Sequence, residues 1–177
     1  NVSRFNTIRT NGWNIWKYSN LRQWLNSDGA AYHWWTASHV GDRYPEYYNQ
    51  AGFLTRINQD FKAILQPVEV TTAGNGYTDD GSLFTSYDKI FLPSVYEMYL
   101  ADTPVEGTRM GYYADKITSR AIKSTILQRN PYRYRTRTCT DSIYRISTVE
   151  VNASLSNTTC TDKNVPLALC CKIILGG

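Results

Sequence analysis

The sequence predicts a mixed α+β domain from three observations. Apolar residues recur at helical spacing in two early segments, around Leu21 and around Phe61. Two-residue alternation dominates the last third, most clearly in Tyr132-Arg133-Tyr134-Arg135-Thr136-Arg137-Thr138. The 177 residues contain neither an internal repeat nor a linker, so one domain over 1–177 is expected.

The elements follow from local chemistry. Ser19 or Asn20 can cap a first helix, with Gln23 placed to reach back as in a capping box. Leu21, Trp24 and Leu25 share one face of it, and Asn26-Ser27-Asp28-Gly29 ends it. The aromatic residues that follow pose a choice: Trp24, Trp34 and Trp35 either line a site or frame one elsewhere. The inward stripe containing Trp24 favours the frame. Ile57, Phe61, Ile64 and Leu65 predict a second helix that ends before Pro67, because a proline excludes helical backbone in the residue ahead of it. Val68 to Thr72 alternates like a strand, and Ala73 to about Ser86 reads as a mobile or ligand-facing loop. Ile90-Phe91-Leu92 reads as a buried strand ended by Pro93. Ser94-x-x-Glu97 then makes a second capping box, so Glu97 is read as a cap rather than a general acid or base. In the alternating strand, Tyr134 and Thr136 share one face while Arg133, Arg135 and Arg137 share the other. Ser142 to Val151 alternates less cleanly, Asn152 to Asn164 reads as a polar turn-rich stretch, and "VPLALCCKIIL" as a terminal strand buried on both faces near its centre.

Composition narrows the function. The net charge of +4 permits anionic partners but demands none, and no nucleic-acid-binding motif is present. No apolar run approaches the roughly 20 residues that span a bilayer, so no membrane insertion is expected. The chain opens on Asn1 without a signal-peptide pattern, which suggests a processed chain or a domain cut from a longer protein. Fourteen Tyr and five Trp beside two Met supply amphipathic side chains that suit semi-buried layers and binding surfaces alike. Cys139, Cys160, Cys170 and Cys171 contain no C-x-x-C pair. Free thiols are the commoner state for so few cysteines, with a Cys139–Cys160 bridge as the alternative.

The catalytic and metal readings find little support. His33 and His39 are spaced wrongly for one helical face, and the adjacent Asp79 and Asp80 lack the spaced oxygens of a calcium site. Asp88, Glu97 and Asp115 are available acids that nothing in the sequence pairs. No nucleophile elbow, phosphate-binding loop or dinucleotide fingerprint occurs. Neither a metal nor a cofactor is expected. The arginine ladder is the best candidate for interaction: with Arg145 it offers bidentate donors to carboxylate, sulfate or phosphate, unless its face is merely solvated or paired with acids.

In order along the chain, "YSNLRQWLNSDGAAYHWW", "AGFLTRINQDFKAIL", "VEVTT", "YDKIFLPSVYE", "EGTRMGYYADK", "YRTRT" and "NVPLALCCKI" resemble an uncharacterised domain family of gut-bacterial surface and phage proteins. The resemblance runs from about Tyr18 to Ile174. That family is itself similar to the formylglycine-generating-enzyme branch of the C-type lectin-like fold, which retroelement-diversified variable proteins also use. Two departures stand out: Cys139 replaces a proline after the Thr-Arg-Thr strand, and Asn164-Val165-Pro166 fills the closing motif. The resemblance implies a single lectin-like domain of short helices packed on antiparallel strands, whose C-terminal third displays a binding surface on a rigid frame. It thus implies a non-catalytic binding or display module on a phage virion (tail or capsid surface) or a bacterial cell surface. Its partner would be a host-cell surface protein or glycan, through Tyr134, Arg135, Arg137, Asp141, Tyr144, Arg145 and Asn157. The alternatives are a capsid or tail decoration domain held by neighbouring virion subunits or by copies of itself, and a thiol-dependent oxidase using Cys139 and Cys160. In a bacterial or phage protein the sequons at Asn1, Asn152 and Asn157 are chance features of a Ser/Thr-rich surface.

Overall fold

Ser19 starts the first helix as its hydroxyl predicts. A computed structural model of the chain describes residues 14–39, 42–74, 82–102, 106–114, 133–142 and 144–174. In it Ser19 has extended backbone and accepts a hydrogen bond from the Arg22 N–H at 3.1 Å, opening α1 (Asn20–Leu25). Gln23 does not complete a capping box. Its side-chain oxygen accepts from the Thr36 N–H and its amide donates to the Thr36 carbonyl, tying the helix to the segment that follows. Asn26 ends the helix and does more. Its amide donates to the Arg22 and Ile90 carbonyls while its oxygen accepts from the N–H groups of Lys89 and Ile90.

The second helix, α2 (Gln59–Ile64), is capped by Asn58 and is shorter than its apolar spacing predicts. Phe61 and Ile64 stay 40% and 37% exposed. The buried member of the expected stripe, Leu65, has already left the helix for a short strand, β1 (Leu65–Gln66). The helix has only 6 residues, fewer than two turns, too few to lay a helical stripe on the core.

β2 (Val68–Ala73) pairs antiparallel with β3 (Leu83–Asp88) in unbroken register from Val68↔Asp88 to Ala73↔Leu83. The expected loop is therefore shorter, since Leu83 to Tyr87 carries the aromatic and β-branched residues that suit a strand. Its tip, with Asp79 and Asp80, lies outside the described residues, as do Asp115 and Tyr132. Ile90 to Leu92 is buried as expected, but only Phe91 pairs, exchanging two backbone hydrogen bonds with Cys170. A one-turn helix, α3 (Gly111–Ala114), follows.

The last third forms a three-stranded antiparallel sheet in the order β4 (Tyr134–Cys139), β5 (Arg145–Val149), β6 (Leu155–Thr159). β6 occupies the stretch read as turns, because its threonines and asparagine face a partner strand that local composition does not reveal. A two-residue strand, β7 (Lys172–Ile173), pairs with β1. The C-terminal segment is not buried on both faces: Leu169, Ile173 and Ile174 are 42%, 37% and 54% exposed. The architecture is thus α+β with short helices and antiparallel sheets. Among the described residues no helix is long and apolar enough to cross a membrane.

One core cluster gathers Trp16, Leu21, Trp24, Trp34, Val70 and Leu92 with Ile146 and Cys160 of the C-terminal third. A smaller one joins Met98, Tyr113, Tyr134 and Val149. Trp24 is 5% exposed, donates its indole N–H to the Ala51 carbonyl at 3.0 Å, and meets Tyr47 and Phe53 edge-on. Trp24→Ala is expected to lower stability by about 3–5 kcal/mol. Urea denaturation checks this, and a loss under about 1 kcal/mol would place the ring outside the core.

Candidate functional site

The arginine ladder does not face solvent. From Tyr134 to Thr138 both faces of β4 are buried, because this strand lies inside the fold. Its free edge is covered: the Arg135 N–H donates to the Pro166 carbonyl and the Arg137 N–H to the Pro93 carbonyl. Of the ladder only Arg133 is exposed, 3.6 Å from Asp162.

Arg137 uses every donor it has. Nη1 and Nη2 grip the two oxygens of Glu97 at 2.6 and 2.7 Å, Nε donates to the Thr71 carbonyl, and the remaining N–H groups reach the carbonyls of Leu92 and Glu106. A buried guanidinium satisfied in this way clamps four chain segments together. Glu97 is also the capping residue it was read as. Its carboxylate accepts from the Ser94 N–H while its own N–H donates to the Ser94 hydroxyl, both at 3.0 Å. Gly107 makes the approach possible. Its φ is +90°, and a Cβ there would collide with Glu97 Oε1.

Glu106 lies beside this pair. Its carboxyl accepts from the Ala73 N–H and is bonded to the Thr138 hydroxyl, which itself accepts from the Val95 N–H. Burial pushes its pKa up, against the opposing pull of Thr138 and Arg137. A third acid, Asp88, is equally occupied. It receives the Arg22 guanidinium at 2.6 Å, the Trp16 indole N–H at 2.8 Å and the Ser86 hydroxyl at 2.7 Å. Asp88 and Glu97, two of the three acids considered for hydrolysis, are thus committed to structural bonds.

Above the Arg137–Glu97 pair lies a cleft of about 590 Å³. Val68, Leu83, Phe91 and Met110 line it, together with Glu97 and the exposed Glu69 and Lys172. With all five Arg137 donors consumed, that pair has no guanidinium N–H to offer a ligand in the cleft.

Tyr134 and Arg135, like Arg137, are corrected as contact residues because burial closes them to an outside partner. The Tyr134 hydroxyl reaches Met98 Sδ at 3.3 Å, and burial raises its pKa. Arg135 lies inside the fold beside Cys160, Asp162 and Tyr47, and burial lowers its pKa to about 10. The thiols are all free, so the Cys139–Cys160 bridge does not form. Burial pushes Cys160 and Cys170 up to about 12, which disfavours the thiolate that nucleophilic chemistry requires. The Cys139 thiol donates to the Asn14 carbonyl, and the nearby Arg137 guanidinium is held by Glu97. Among the described residues no three His, Cys, Asp or Glu side chains come together as a metal site.

The remaining candidates do reach the surface. Asp141, Arg145 and Asn157 are exposed and Tyr144 is half-buried. Arg145 donates to Asn157 Oδ1 across the β5–β6 pair at 3.1 Å and lies 5.8 Å from the centre of the Tyr144 ring. The structure also exposes aromatic residues that sequence reasoning passed over. Tyr44 and Tyr32 are 65% and 59% exposed, beside the half-buried Trp35 and Tyr48. The signal for Tyr44 and Tyr48 was "YPEYY", a run dense in amphipathic aromatic residues.

The model of a family described as "Domain of unknown function (DUF6273)" matches residues 3–173, and the chain belongs to that family. No curated protein and no solved structure matches the chain.

Two predictions follow the buried charges. Arg137→Ala leaves Glu97 and three carbonyls without their donor and is expected to cost about 3–5 kcal/mol. Urea midpoints check this, and an unchanged midpoint would mean that water replaces the guanidinium. For Glu106 the folded chain holds its proton more tightly than the unfolded chain does. This group therefore withdraws stability as pH rises from the ordinary value of 4.5 through its raised folded pKa. Glu106→Gln removes that titration while keeping an acceptor for Ala73 and a donor for Thr138. Its stability relative to the parent should rise as pH increases above the ordinary carboxyl value of 4.5, and parallel pH profiles would contradict the assignment.

Proposed function

We propose that this DUF6273 domain is a non-catalytic recognition module built on the C-type lectin-like frame its sequence resembles. Carried on a phage virion or a bacterial surface, it meets a host receptor or surface glycan through the exposed part of its C-terminal third. The observation that carries this reading is how the polar groups are divided. Arg137, Glu97, Glu106 and Asp88 are consumed by internal bonds, whereas Arg145, Asn157, Tyr144 and Asp141 reach solvent from one sheet and its turn. Arg145 is already oriented by Asn157, so little freedom is lost when it engages an anionic or hydroxyl-bearing partner.

A second reading, a decoration domain held by neighbouring subunits or by copies of itself, draws on a different surface. Phe61 and Ile64 of α2 are exposed beside β7, where the Ile174 N–H bonds the Ile64 carbonyl and Ile173 and Ile174 are exposed too. Such an apolar strip suits a subunit contact.

Replacing Arg145 and Asn157 together by Ala is expected to weaken binding of the labelled domain to bacterial and epithelial cells at least about tenfold. The circular dichroism spectrum should not change, since both side chains lie outside the core. Unaltered cell binding would remove the recognition reading. Sedimentation in which Ile64→Asp and Ile174→Asp convert an oligomer to a monomer would favour the decoration reading.

A further inference from the structure

We propose that the aromatic face formed by Tyr32, Trp35, Tyr44 and Tyr48 is a carbohydrate site for a neutral, β-linked pyranose chain. It is separate from the C-terminal surface around Arg145 and does not depend on it. The rings form a continuous column from the core outward. Trp24 meets Tyr47 at 5.6 Å, Tyr47 stacks on Trp34 at 5.6 Å and 13°, and Trp34 meets Tyr48 edge-on at 5.7 Å. Tyr44 stacks on Tyr48 at 4.6 Å and 15°, and Trp35 leans on Tyr44 at 4.8 Å. The indole N–H groups are used inside the fold, Trp34 on the Gln50 carbonyl and Trp35 on Asn20 Oδ1. The outermost rings are therefore held rigid, with one face of Tyr44 on its neighbour and most of its surface toward solvent.

Tyr32 supplies an independent sign that this arrangement is built. Its φ is +67°, a left-handed conformation rarely taken by an aromatic residue. It is held there by its N–H on the Tyr48 carbonyl at 3.0 Å and by the Tyr48 hydroxyl, which donates to the Tyr32 carbonyl. Such strain persists where the surroundings over-determine it, and it gathers at functional positions. Here its effect is to hold a ring that is 59% exposed. Tyr44 lies nearly parallel to Tyr48 and Tyr32 nearly perpendicular to it, at 88°. The two exposed rings are therefore steeply inclined to each other, which suits a narrow ligand better than a flat protein surface.

The chemistry selects the ligand. An aromatic face is electron-rich and attracts weakly positive C–H groups. A β-linked gluco-configured pyranose presents its axial C–H groups on the ring faces and its hydroxyls around the edge. Polar residues adjacent in the chain to Tyr32, Tyr44 and Tyr48, namely His33, Arg43 and Asn49, are exposed as well. Glu46 is paired with Lys163, so its carboxylate does not call for a cationic ligand. The inner rings pack against each other instead of enclosing a space, unlike the aromatic cages that hold quaternary ammonium groups.

Cellohexaose and chitohexaose are the probes, each titrated calorimetrically into the whole domain. At least one is expected to bind saturably in the micromolar-to-millimolar range, with little dependence on salt. Tyr44→Ala should weaken this at least about tenfold, whereas Tyr44→Phe, which keeps the ring face, should retain it. Tyr32→Gly removes the second exposed ring while relieving the strained backbone, so it should also lose affinity without losing its fold. The Arg145 and Asn157 double variant should bind as the parent does, which separates this site from the C-terminal one. Failure of both oligosaccharides to bind up to the millimolar range overturns the proposal, as does undiminished binding by Tyr44→Ala. Loss of cell binding in Tyr44→Ala without any oligosaccharide affinity would assign the face to a protein partner and overturn it equally.

Discussion

The hydrogen bonds of Arg137 hold together parts of the chain that lie far apart in the sequence. One guanidinium, fully buried, reaches Thr71 on β2, Leu92 after the Asn26-tethered turn, Glu97 in its capping box and Glu106 in the following turn. Its partners are 66, 45, 40 and 31 residues away along the chain. A charge in that position is tolerable only when every donor is matched, because an unmatched buried charge costs several kcal/mol. The surrounding chain is shaped to match it. Gly107 takes a left-handed conformation so that backbone can pass close to Glu97, and Thr138 bonds both Glu106 and Val95.

The Asp88 cluster repeats the device on the other side of the β2–β3 hairpin. Arg22 from α1 and Trp16 ahead of it converge on one carboxylate at the end of β3. Together the two clusters fix α1, the hairpin and β4 relative to one another with directional bonds, where short helices and two-stranded sheets alone would bury little apolar area. On this frame the exposed aromatic residues come from the segment 32–48 and Arg145 from β5.

Local chemistry was well read where it is local. Ser19 caps α1, Ser94 and Glu97 exchange capping bonds, Val68 to Thr72 is a strand, and Trp24 faces inward. The readings that failed share one cause. Alternation in Tyr134 to Thr138 showed two faces but not that both are covered. Helical spacing in Ile57 to Leu65 did not reveal that the helix would run only from Gln59 to Ile64 and leave Phe61 and Ile64 outside the core. The polar composition of Asn152 to Asn164 hid β6 because its pairing partner, β5, supplies the ordering. The candidate surface was half legible: Asp141, Tyr144, Arg145 and Asn157 reach solvent, while Tyr32 and Tyr44 were seen only as part of an aromatic excess.

By itself the sequence determined the caps, the alternating strands, the inward tryptophan and the mixed α+β class, because each depends on residues within a turn or two of one another. Only the tertiary structure decided which arginines are core and which are surface, and which tyrosines stand on the outside. Those outcomes rest on partners dozens of residues away, and an arginine in a strand has the same local pattern whether water or a glutamate lies above it.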